Sequence, residues 1–144
     1  MSYVLHALIG KSETLKANGS LFQSARIVSL EQDIAIIPLT DKICEEVGVS
    51  SEIENFYKLS PEIEKWAQRI STAGFVAYIE AEFFGGDGSQ SAIAWNAGSR
   101  VLEPIHEQNA INRVLKLLGV DRKNAHDEFD AVGLGKHRDT NDWK

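Results

Sequence analysis

The chain opens on alternation. Tyr3, Leu5, Ala7 and Ile9 fall on one side and Val4, His6 and Leu8 on the other, which predicts a strand buried on at least one face. After a polar stretch, Ala25–Leu30 and Ile34–Leu39 form two apolar runs split by Glu31-Gln32-Asp33, the pattern of a hairpin. Pro38 then belongs at a strand end or edge, because it has no N–H to donate to a ladder.

The period then lengthens. Thr40 or Asp41 caps a short helix carrying Ile43, Cys44 and Val47 and ended by Gly48. Ser51 and Glu54 stand at capping-box spacing ahead of Ile53, Phe56 and Tyr57, predicting a second short helix. Ser60-Pro61 opens the clearest one, whose stripe Ile63, Trp66, Ala67 and Ile70 runs i, i+3, i+4, i+7 up to the stop at Gly74.

Phe75–Phe84 is the strongest strand, with Phe75, Ala77, Ile79, Ala81 and Phe83 on one face and Val76, Tyr78, Glu80, Glu82 and Phe84 on the other. Gly85–Ser89 turns the chain into a strand at Gln90–Trp95, and Asn96-Ala97-Gly98 turns it again into Arg100–Leu102. A last helix is predicted over 107–118, with Ile111, Val114, Leu115 and Leu118 on its stripe and Gly119 as terminator. Residues 121–144 are polar apart from Phe129, Val132, Leu134 and Trp143, and 133–144 reads as a polar C-terminal tail with Trp143 tacking it to the body. Neighbouring strands with helices inserted in blocks predict one α+β domain over 1–144. Its core is a single antiparallel sheet that includes a 75–102 meander, with helices packed mainly on one face.

Composition narrows the chemistry. A chain of 144 residues, 43% hydrophobic, is long enough for one core. Cys44 is the only cysteine, which excludes an internal disulfide and any multi-cysteine metal site, and reads as a small core hydrophobe. No export signal is visible near Met1, and no apolar run approaches the roughly 18–20 residues of a membrane span, so a cytoplasmic protein is expected.

The glycine loop at 85–89 leads into a strand where a phosphate-binding fingerprint needs a helix, and Asp87 puts negative charge where an anion would sit. Gly133-Leu134-Gly135-Lys136 lacks the earlier glycine and the Ser or Thr of a phosphate loop, since Asp130 and His137 stand there. His6, His106, His126 and His137 have no ligand spacing, and no Gly-x-Ser-x-Gly elbow occurs. No cofactor and no metal are expected. Glu80 and Glu82 share a strand face about 7 Å apart, a spacing suited either to acid/base work or to the solvated face of a sheet.

Charge points to a partner. The chain carries 21 acidic against 15 basic residues, a net −6. Asp41, Glu45, Glu46, Glu52, Glu54, Glu62 and Glu64 outnumber Lys42, Lys58 and Lys65, and Glu80, Glu82 and Asp87 extend the acidity. The bases form no stripe, which disfavours direct nucleic-acid binding, whereas clustered acids steer basic proteins.

The stretch Ala77–Gly86 with Gln90–Trp95, together with Asp127–Phe129 and Gly133–Arg138, resembles a group of short uncharacterised bacterial proteins over about half the chain. In overall profile the chain is similar to immunity proteins of polymorphic-toxin and contact-dependent inhibition systems. That likeness implies a small cytoplasmic protein that neutralises a cognate toxin domain, of basic nuclease type, by occluding its active site. Tyr78, Glu80, Glu82, Asp87 and Trp95 are the expected partner-binding residues, with the Glu45–Glu64 helices as the alternative face. The other readings are a small enzyme or ligand-binding domain working through Glu80 and Glu82, and a homo-oligomer.

Overall fold

The computed structural model describes residues 2–18, 22–48, 51–84 and 87–143. Strand β1 (Ser2–Lys11) pairs along its whole length with β4 (Val76–Phe84), from Ser2 opposite Phe84 to Gly10 opposite Val76. On its other edge β1 pairs with β3 (Ile34–Pro38) only from Ala7 to Lys11, so Pro38 sits at a strand end, as expected. With the two-residue β2 (Val28–Ser29), β5 (Asp87–Asn96) and β6 (Ser99–His106) the strands form one antiparallel sheet in the order β2-β3-β1-β4-β5-β6. The expected meander is present, and its second and third strands are longer than the apolar runs alone indicated.

Alternation decides which side chains each layer covers. Leu8, Ala35, Ile37, Val76, Tyr78, Ile93 and Trp95 face α1 (Ser12–Asn18), α2 (Asp41–Val47) and α3 (Pro61–Ile70). Leu5, Ala7, Ile9, Ile36, Ala77, Ile79, Ala92 and Ala94 face α4 (Ala110–Leu117), α5 (Glu128–Val132) and the C-terminal segment. Three of these five helices share one face, and the other two with the tail cover the second.

Caps behave as the sequence indicates. Thr40 Oγ1 accepts the Ile43 N–H and Ser60 Oγ the Ile63 N–H, while Gly48 (φ 75°) ends α2 in the left-handed region that favours glycine. Helix α1 has a single buried anchor, Leu15, and so shows no stripe in the sequence. The helix expected from Ser51 does not form: residues 51–59 run as turns, with Glu54 and Asn55 at positive φ. A capping box cannot by itself nucleate so short a helix, and this segment's N–H groups find an acceptor on the sheet instead.

Gly88 lies within β5 and not in a loop; a Cβ there would fall 1.7 Å from the Phe83 ring. The readings made for Gly85 and Gly86 lie outside the described residues. At the far edge, two register shifts between β5 and β6 and Pro104 leave Val101 55% exposed, irregularities that blunt an open strand edge.

The polar C-terminal stretch is part of the fold. Where β3 stops, residues 138–140 take over the free edge of β1. The Val4 N–H donates to Arg138 O at 2.8 Å, and Thr140 Oγ1 accepts the His6 N–H at 3.1 Å and donates to Val4 O at 3.3 Å. Tyr3 OH donates to Leu134 O at 2.6 Å, and Leu134, Thr140 and Trp143 are buried.

Candidate functional site

The sequence-singled residues of β4 point into the α1–α3 layer. Val76, Tyr78, Glu80 and Glu82 share that face by alternation, with His6 of β1 opposite Glu80 on one side and Ser91 of β5 on the other. Glu80 is 3% exposed. Its carboxylate accepts the Tyr78 hydroxyl at 2.5 Å, the Tyr57 N–H at 2.9 Å and the Lys58 N–H. Burial pushes the Glu80 carboxyl above its ordinary value, and the three donors offset only part of that shift. Burial and the neighbouring carboxylate raise the Tyr78 phenol well above its usual range, so it stays protonated and donates.

Glu82 is the partly exposed neighbour, with 21% of its side chain accessible and Oε2 3.4 Å from His6 Nε2. Burial lowers the His6 pKa despite the opposing pull of Glu82. The imidazole is therefore neutral near pH 7, and the contact is a hydrogen bond rather than an ion pair.

A second polar knot ties α3 to the far strands. Trp95, fully buried, donates its indole N–H to Glu64 Oε2 at 2.9 Å. The same carboxylate takes Arg100 Nε at 2.7 Å and a terminal Arg100 nitrogen at 3.1 Å. Arg100 accordingly holds the Glu64 carboxyl below its ordinary value. The Ser91 hydroxyl lies 2.7 Å from His106 Nδ1, and His106 Nε2 lies 3.1 Å from Glu54 O. A carbonyl only accepts, so Nε2 carries a proton, and in the neutral ring Nδ1 accepts from Ser91. Phe56 packs on both Tyr78 and His106, with ring centroids 5.2 and 5.0 Å away.

Chemically, these groups fasten an irregular covering segment to the sheet. The solvated-face reading of Glu80 is overturned, because residues 51–59 and α3 cover that face. Tyr78, Glu80 and Trp95 are withdrawn from the surface and, in this structure, present no face to a partner. Glu82 is half-buried. Asp87 sits opposite Phe84 in the β4–β5 pairing, and its side chain lies outside the described residues. Neither Glu80 nor Glu82 lines any of the four best-formed cavities among the described residues. No group of three or more His, Cys, Asp or Glu side chains among them is arranged to hold a metal ion. Cys44 is half-buried and its thiol is pushed up by burial, the opposite of an activated nucleophile.

What faces solvent is the alternative surface. Asp41, Glu45 and Glu46 of α2 and Glu52 and Glu54 of the following segment are exposed. Among them Tyr57 is 61% exposed, the most accessible large hydrophobic side chain described. The sequence reading put Tyr57 on a short helix after the Ser51 capping box. The structure keeps its N–H on Glu80 and turns its ring outward, 6.4 Å from His6.

No helix among the described residues is long and apolar enough to cross a membrane. No family model matches the chain, and no curated protein and no solved structure matches it significantly.

Proposed function

We propose that this protein acts by binding another protein, as a cytoplasmic immunity protein that neutralises a basic, nuclease-type toxin domain by covering its active site. The observation that carries the reading is the exposed acidic face of α2 and residues 51–57 with the Tyr57 ring at its edge. Such a face combines long-range attraction for a cationic partner with an aromatic anchor, the residue type most enriched among interface hot spots. It replaces Tyr78, Glu80 and Trp95 as the contact surface and keeps the charge logic of the chain. A small enzyme working through Glu80 and Glu82 has less support, since their oxygens already serve the fold.

The test is co-expression in a bacterial host with the variable C-terminal domain of a secreted protein encoded beside this gene. The proposed role predicts rescue of growth by the wild-type chain. It also predicts loss of rescue with Glu45→Lys, Glu52→Lys and Tyr57→Ala combined, with the unfolding midpoint unchanged. Undiminished rescue by that variant rejects the face; no rescue by the wild type rejects the role.

A further inference from the structure

We propose that the cavity walled by Trp143 is a binding site for a small organic anion with a flat apolar body, independently of the protein-binding role above. Its volume is about 540 Å³, within the range usual for small-molecule sites. It opens where β3 ends, between the 22–26 loop, the start of α2 and the C-terminal turn. Pro38 and Trp143 give it an apolar wall, and Arg26, Lys42, Gln23 and Asn141 bring polar groups to its lining.

Two observations converge on an anion. The first is an orphaned donor. Trp143 is 3% exposed, and its indole nitrogen is the buried side-chain polar atom without a hydrogen-bond partner among the described residues. Buried donors are almost always paired, and an indole N–H can only donate, so any partner it takes is an acceptor such as a carboxylate or phosphate oxygen. Trp143 also walls a smaller cavity of about 240 Å³, so there is space on more than one side of the ring.

The second is local charge. Neither Arg26 nor Lys42 joins an ion pair among the described residues. Arg26 is oriented by one terminal nitrogen, which donates to Gln23 O at 3.0 Å and Ala25 O at 3.1 Å. Its loop is tethered in turn by Glu46, which accepts the Gln23 N–H at 2.9 Å and the Ser24 N–H at 2.7 Å. The one acid in the lining, Asp41, has Lys58 at 3.5 Å. Two cations outside any ion pair among the described residues thus line the same cavity as the residue that carries the unpaired donor, in a protein of net charge −6.

The test follows the Trp143 indole N–H resonance, assigned with Trp143→Phe, while benzoate, phenyl phosphate or neutral benzamide is added to the full chain. A saturable shift with benzoate or phenyl phosphate is expected, and whichever binds tighter assigns carboxylate or phosphate as the preferred group. Arg26→Ala and Lys42→Ala, both at exposed positions, are each expected to weaken binding by about tenfold, the worth of one charge-assisted hydrogen bond. No saturable shift at about 10 mM, enough to reveal a millimolar site, overturns the proposal. So does an equal response to benzamide, or affinity unchanged in both variants.

Discussion

The two faces of the sheet are covered in different ways and filled with different chemistry. Against α4, α5 and the C-terminal segment the strands present Leu5, Ala7, Ile9, Ala77, Ile79, Ala81, Ala92 and Ala94, aliphatic apart from Tyr3 and the partly buried Phe83. Against α1–α3 they present Tyr78 and Trp95 together with His6, Glu80 and Glu82. The cover explains the contrast. A regular helix satisfies most of its own backbone, so the face beneath α4 can be apolar, and its alanines let the helix approach. Residues 51–59 are irregular: Ile53 and Phe56 donate within the segment, but the Tyr57 and Lys58 N–H groups need acceptors from elsewhere. Glu80 supplies them, and a carboxylate that looks catalytic in one dimension serves as a backbone anchor in three.

The comparison can be broken most sharply at Glu80. Glu80→Leu removes the acceptor for Tyr57, Lys58 and Tyr78 while keeping the volume, and should cost about 4 kcal/mol in urea unfolding. Glu80→Gln keeps one acceptor and should cost less. A loss below about 1 kcal/mol for Glu80→Leu would show that residues 51–59 do not depend on that carboxylate.

On the opposite face the polar contacts are fewer and neutral, Tyr3 OH donating to Leu134 O and Gln90 Oε1 accepting the Ile111 N–H, so the penalty comes mainly from packing. Ile111→Ala, at a fully buried position of α4, should cost about 3 kcal/mol by cavity formation and leave the 51–59 segment as protected from amide exchange as before. Spread of exchange into 51–59 would mean the two layers unfold together. A smaller effect, about 1 kcal/mol, is expected for Ser60→Ala, which removes the cap of α3.

The finest distinction is in pH, where two carboxylates of the polar face have opposite signs. The Glu80 pKa lies above its ordinary 4.5, so the native state takes up this proton before the unfolded chain does. Its contribution to stability therefore rises as pH falls from that raised value toward 4.5. Glu64 lies below 4.5, and its stabilisation is present above 4.5 and lost as pH falls through the lowered value. Measured against pH, the stability of the wild type relative to Glu80→Gln should grow on moderate acidification. Relative to Glu64→Gln it should shrink below 4.5. The same slope in both pairs would contradict the assignment of burial to one and Arg100 to the other.

Much of the architecture was readable because it rests on period and punctuation. The stripe of α3, the caps at Thr40 and Ser60 and the alternation of β1 and β4 are local signals, each written within a dozen residues. Helices α1 and α5 were not readable, since one or two apolar anchors in a single turn or two make no period. The residues singled out in β4 were the right ones to notice, but their role was misassigned. Alternation puts Tyr78, Glu80 and Glu82 on one face without saying what covers it, and Tyr57 was expected on a helix that does not form.

The sequence by itself determined an α+β chain with a 75–102 meander, an acidic balance, and no disulfide or multi-cysteine metal site, because composition and near-neighbour spacing decide those. Only the tertiary structure decided that both sheet faces are covered, that Glu80 anchors backbone, and that the C-terminal stretch completes the edge of β1. It also decided that Trp143, Arg26 and Lys42 share one cavity. Each of these brings together groups tens to more than a hundred residues apart, as between Val4 and Arg138, and no local pattern records such a meeting.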